Sequence, residues 1–215
     1  MVSLRKPSAV PVVGVLADRR TYANLAYLFV TIPLGLGYSM ALTFGIVFGT
    51  LLSVVGVGIA ILFATLIGSR LLAEVERRLA NAVWSLDLRR PDDLPDDTDG
   101  VLPLAKGYVD ASSTWGGVGF LSVKLWILLP AILLLFGLAT VLSLLAAPVR
   151  YPYDVEFGTV NGEPVTWTID TLPEAALAVP VALCGLVVVL HASNAVAYVT
   201  RRMAVGLLGR GRAGG

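Results

Sequence analysis

His191, Asn194 and Tyr198 recur at i, i+3 and i+7 inside an otherwise apolar stretch, so a helix there carries one polar face, and Lys124 lies at a similar depth at the start of another apolar stretch. Ionisable and amide side chains at membrane depth are costly and mark functional or bundle-holding positions. A histidine titrating near neutral pH beside a lysine and an amide would make a proton-sensitive or ligand-binding cluster. The structural alternative has Lys124 snorkelling to the membrane surface while His191 and Asn194 hydrogen-bond between helices. A second candidate set is aromatic. Tyr151, Tyr153, Phe157 and Trp167 share one short segment with Asp154, Glu156, Glu163, Asp170 and Glu174, which reads either as interface anchors on a solvated cap or as a surface sensing a ligand, cation or partner.

Neither set is catalytic. His191 is the only histidine, and no nucleophile–base arrangement, zinc-ligand spacing, phosphate-cradling loop or dinucleotide fingerprint can be assembled around it. The acidic run Asp92, Asp93, Asp96, Asp97 and Asp99 before Gly100 fails as a calcium loop, because its first ligand would be Pro95 and its twelfth Lys106, where a bidentate Glu is needed. Cys184, the only cysteine, can form no intramolecular disulfide and reads as a packing residue. The expectation is a non-enzymatic protein without metal or cofactor.

The elements that must hold these residues are membrane spans. Residues 22–68 form a nearly charge-free apolar run, about twice the ~20 residues one helix needs to cross a bilayer. It must cross and return, and the glycines at 45 and 49 place the turn between spans 22–44 and 48–68. Two further runs, 121–147 and 172–198, complete an all-α polytopic architecture of four transmembrane helices. The formal charge of +1 hides a strong asymmetry: of 16 Lys and Arg, all but Arg150 lie before the first span, between the end of the second and the first residues of the third, or after the fourth. The positive-inside rule then puts both termini and the central loop in the cytoplasm of a plasma-membrane protein.

Leu72, Val75, Leu79, Val83 and Leu86 recur at helical spacing after the second span, and Glu74 pairs with Arg78 at i, i+4, so this segment reads either as an amphipathic extension of the span bending onto the membrane surface or as a solvated helix packed on other protein. Leu104, Tyr108, Ala111 and Trp115 predict a second amphipathic element, with Gly116, Gly117 and Gly119 as its hinge. Between the last two spans, β-rich residues 155–160 and 165–169 flank Asn161-Gly162, a β-hairpin signal that Pro164 tempers. The resulting organisation is a cytosolic leader 1–21, a first membrane hairpin with interfacial helix 22–90, an acidic linker 91–103, a second hairpin 104–205 with an outer insert 148–173, and a flexible tail 206–215.

The halves also repeat. Residues 27–33 align with 124–130 at an offset of 97, and Arg77 and Arg78 align with Arg201 and Arg202 at an offset of 124; the difference of 27 is close to the length of the outer insert. Each half is expected to be one helical hairpin with a basic extension, the copies being parallel about an axis along the membrane normal.

With residues 27–35, including Ile32-Pro33-Leu34-Gly35, the arginine-rich segment 71–84 and the segment 115–130, the chain resembles the "Putative sensor" domain family of haloarchaea and actinobacteria over roughly residues 20–205. The resemblance implies a four-helix membrane sensor domain, a type often placed before a histidine kinase. Because the sequence ends at Gly215 without a kinase, signal output is expected to pass to a separate cytosolic partner; the alternative is a structural or accessory subunit of a membrane complex such as a transporter. Expected partners are the bilayer, a histidine kinase, regulator or transport ATPase, and a second copy of the chain, but no nucleic acid.

The charge asymmetry generates a direct test. In a Cys184→Ala background, single cysteines at Asp97 and Gly214 should resist an impermeant thiol reagent in intact cells, and one at Asn161 should react. Labelling at Asp97 but not Asn161 would invert the orientation.

Overall fold

The computed structural model describes residues 14–94 and 100–209; most of the leader, Asp96, Asp97 and Asp99 of the acidic run, and the end of the tail lie outside the described residues. The chain forms α1 (Arg19–Leu51), α2 (Val57–Trp84), α3 (Val101–Asp110), α4 (Ser112–Leu145), the single turn α5 (Ala147–Arg150), β1 (Tyr153–Val160), β2 (Glu163–Ile169) and α6 (Leu172–Leu208). Helices α1, α2, α4 and α6 are long and apolar enough to cross a membrane, which makes this a multi-pass membrane protein. At 1.5 Å per residue the 37 residues of α6 extend about 55 Å, well beyond a hydrocarbon core of about 30 Å, so the bundle projects past the apolar layer.

Helix ends follow local chemistry. Asp18 accepts the Arg20 amide to start α1, and Thr171 and Glu174 form a reciprocal capping box that starts α6 directly after β2. The α1–α2 turn does not fall at Gly45 and Gly49. Helix α1 continues through both, and the chain reverses at a short 3-10 turn, Leu52–Val55, closed by Gly56 at φ +82°. Gly45 and Gly49 instead let α2 approach: a Cβ at Gly45 would collide with the Thr65 side chain, and one at Gly49 would come within 2.6 Å of Leu62. Glycines four apart on one helix face are a packing device in lipid, where no hydrophobic force draws helices together.

Two other expectations change. The segment after residue 68 is not a separate element bent away from the second span; it is the unbroken continuation of α2. Its buried face is Ser69, Ala73, Glu76, Arg77 and Ala80, whereas Val75 of the apolar stripe is exposed. The break before α4 lies at Ala111, which is extended, and not at the glycines. Gly116 and Gly117 lie within α4, where Gly116 meets the Leu207 carbonyl of α6 and Gly117 meets Ala73 of α2. The Asn161-Gly162 hairpin forms as the sequence indicates, with φ of +55° and +85°, Val160 opposite Glu163, and a bulge at Phe157 between the Glu156 and Gly158 pairs. Pro164 pairs with Thr159 inside β2. In a two-residue hairpin this is a non-hydrogen-bonded pair, so its missing N–H faces away from β1. Val155 and Ile169 seat the hairpin on Val141 and Leu144 of α4 and on Ala175, Ala178 and Ala182 of α6.

Leucine at Gly45 or Gly49 is expected to force α1 from α2 and cost about 1–3 kcal/mol, read as a lower thermal midpoint in detergent. Gly37→Ala, where a Cβ meets nothing, should leave the midpoint unchanged or higher.

Candidate functional site

The side chains with the strongest chemistry converge within the part of the bundle near the chain termini. Glu76 of α2 and Lys124 of α4 form an ion pair in which both side chains are completely buried. The Tyr27 hydroxyl of α1 donates to the second Glu76 oxygen at 3.2 Å and accepts from Lys124 Nζ at 3.4 Å. Lys124 Nζ also lies 5.1 Å from the Tyr27 ring centre and 5.5 Å from that of Tyr38, so two aromatic faces share its charge. Tyr27 and Tyr38 lie on one face of α1 together with Thr31, all three buried.

The network continues from Tyr27. Its ring packs 4.3 Å from that of Trp84, whose indole N–H donates to Asn24 Oδ1 at 2.9 Å. Asn24 Nδ2 donates to Asn194 Oδ1 at 2.8 Å, and Asn194 Nδ2 donates to Thr21 Oγ1 at 2.9 Å. Polar side chains from α1, α2, α4 and α6 are thereby joined in one connected set. Adjacent to Glu76, the Arg77 guanidinium is buried, contacts Glu74 at 3.4 Å, and donates through Nε to the carbonyl of Leu208, the last residue of α6, at 3.3 Å. That carbonyl lacks an intrahelical partner, so a cation there satisfies it and complements the helix dipole.

A second lock holds the connection to α4. Asp93 accepts the Ser113 amide at 2.9 Å and hydroxyl at 2.8 Å while pairing with Arg70 at 2.9 Å, and Arg70 also donates to Thr114 Oγ1 at 2.9 Å and stacks 5.5 Å over Tyr108 of α3. Asp93 is therefore a remote cap for α4 and not a solvated linker residue. Burial raises its carboxyl pKa, but the Ser113 bonds and the Arg70 charge outweigh that and hold it below the ordinary carboxylate value. Upstream, both functions of the Asn81 amide bind the Leu88 backbone at 3.0 Å and turn the chain back after α2.

Of the intramembrane four singled out from sequence, the network takes in two, Lys124 through Glu76 and Tyr27 and Asn194 through Asn24 and Thr21. His191 instead bonds the Val187 carbonyl of its own helix at 3.0 Å, and Tyr198 accepts from Arg202 at 3.2 Å. Tyr151 and Phe157 of the outer set are exposed; Tyr153 donates to the Ser143 carbonyl at 2.6 Å, and Trp167 is partly buried opposite Val155. Glu76 does not emerge from the sequence because it falls outside the apolar stripe Leu72, Val75, Leu79, Val83 and Leu86. The signal that finds it is the small-residue spacing Ser69, Ala73, Ala80 around it, together with the need of Lys124 for a counter-charge.

Removing one partner strands the other charge. Lys124→Met should therefore cost about 3–5 kcal/mol in detergent unfolding, and the double variant Glu76→Leu/Lys124→Met should recover most of it. For Asp93, a lowered folded pKa means that its stabilisation is complete above the ordinary carboxylate pKa and is lost as pH falls through the folded value. Thermal midpoints of wild type and Asp93→Asn should converge as pH is lowered below about 4.

The family model described as "Putative sensor" matches residues 11–208. Comparison with the curated proteins and with the solved structures gives no match. With the match covering the four spans, the hairpin and every residue of the network above, the chain belongs to this sensor family and is a membrane-embedded member of it.

Proposed function

We propose that the chain is a membrane sensory and signal-relay module: the hairpin end, outside the cytoplasm, receives an envelope or ligand signal, and the opposite end passes a helix movement to a separate cytosolic histidine kinase or regulator. The observation that carries this reading is the path of α6. It begins two residues after the hairpin, runs unbroken for 37 residues, and ends at the carbonyl held by Arg77. Arg77 neighbours Glu76, so a shift or rotation of α6 acts on the residue beside the buried ion pair, and through it on α1 and α4. Coupling of this kind needs an element with two arrangements that both ends bias. The interface between α2 and α6 is that element.

The parallel repeat belongs to the same proposal. Tyr27 and Lys124, matched at the offset of 97, meet at hydrogen-bond distance, as residues flanking a pseudo-twofold axis would. The cytoplasmic placement of the termini rests on the charge asymmetry, and the exposed Tyr151 and Phe157 supply the signal-facing surface.

The experiment is affinity purification of the full chain from its native membrane, comparing wild type with a variant in which residues 153–170 are replaced by a Gly-Ser linker. Wild type should retain a kinase or response regulator, and the variant should insert and fold yet lose the signal dependence of that association. Recovery of a transport ATPase instead, unaffected by the linker, would establish the structural-subunit alternative.

A further inference from the structure

The two arginine pairs related by the repeat offset differ in their partners. Arg77 and Arg78 both contact the carboxylate of Glu74. In the other pair, Arg202 bonds the Tyr198 hydroxyl, and Arg201 contacts no carboxylate among the described residues. Its Nε is buried and has no acceptor among them. Asn194, two turns before Arg201 on α6, bonds Thr21, the residue after Arg20, so the start of α1 is held against this part of α6, and the Arg20 cation there repels Arg201. A guanidinium nitrogen removed from water without an acceptor is costly, and two like charges side by side add to that cost.

The depth of the two residues identifies what resolves this. Arg20 precedes by about half a turn the apolar run that opens at Tyr22, and Arg201 follows by about one turn the apolar run that closes at Tyr198. Both therefore sit where the hydrocarbon ends and lipid headgroups begin. Arginine's planar fork matches a phosphate oxygen pair, and a phosphodiester at this level would accept from the buried Nε while neutralising the Arg20–Arg201 repulsion.

We propose that Arg20 and Arg201 form a binding site for the phosphate of an anionic membrane lipid, set between the first turn of α1 and the last turns of α6. The site is independent of the relay proposal and of membrane orientation. Its position on α6 makes lipid occupancy a brace for the end of the helix that Arg77 holds.

Native mass spectrometry of the full chain in detergent, with phosphatidylglycerol and phosphatidylcholine as probes, tests this. Wild type should retain phosphatidylglycerol in preference to phosphatidylcholine. Arg201→Gln and Arg20→Gln should each weaken that retention about tenfold, as loss of a charged hydrogen bond implies. Arg202→Gln, which removes an equal charge from an exposed position, should change it less than twofold. Arg20 is exposed in a first helical turn, so its variant keeps the test valid if Arg201→Gln misfolds. Equal retention of the two lipids by wild type, or equal losses in the Arg20, Arg201 and Arg202 variants, would reduce the site to general surface charge and overturn it. Displacement of phosphatidylglycerol by millimolar inorganic phosphate would overturn the assignment to lipid in favour of a soluble anion.

Discussion

Glu76 and Lys124 face each other with no exposed atom between them, at the end of the bundle where the apolar layer gives way. Taking two such charges out of water is repaid only while they remain paired and their remaining valences are filled, here by the Tyr27 hydroxyl and two aromatic faces. The consequence is a constraint on register. A slide of α2 past α4 by one turn would leave two buried ions unpaired, whereas the flanking Ser69, Ala73 and Ala80 would tolerate it. The pair therefore decides which of several nearly equivalent packings of small-residue faces the bundle adopts.

That selectivity matters because helices in lipid lack the driving force that collapses a soluble core. Contact comes from close approach, as at Gly45, Gly49 and Gly116, and along the alanine-lined face of α6, where Ala175, Ala178, Ala182, Ala197 and Ala204 are buried. Such faces are smooth. Smooth faces permit sliding and rotation, the freedom on which the proposed relay rests, and the Glu76 and Arg77 contacts fix the arrangement seen here. The hairpin is fixed through Val155 and Ile169 to the opposite end of the same smooth face and to α4, which Tyr153 also bonds at Ser143, so its motion reaches both helices.

The spans and the hairpin were legible in the sequence because each rests on a one-dimensional signal: an apolar run of sufficient length, or Asn-Gly between β-rich segments. The glycines were misread because glycine marks either a turn or a close approach, and only the partner helix distinguishes them. Thr65 and Leu62 of α2 decide the case at residues 45 and 49. Of the apolar stripe after residue 68, Leu72, Leu79 and Val83 pack partly buried on the core and Leu86 is buried, as their spacing indicates, while Val75 is exposed. The spacing does not show that the fully buried face between them is made of small and paired polar residues. Lys124 was recognised as anomalous. Its partner was not, because Glu76 lies 48 residues earlier on a different helix and only the fold brings them together.

The central claim is that this pair couples the four helices. Hydrogen exchange of the full chain in lipid nanodiscs tests it most directly, comparing wild type, Glu76→Lys, Lys124→Glu and the charge-swapped double variant. If the pair is the coupling element, either single variant accelerates exchange both in α2 around residues 76–84 and at the end of α6 around residues 200–208, and the swap restores protection in both. Exchange that rises only around the substituted residue, with the end of α6 unchanged, would contradict the account.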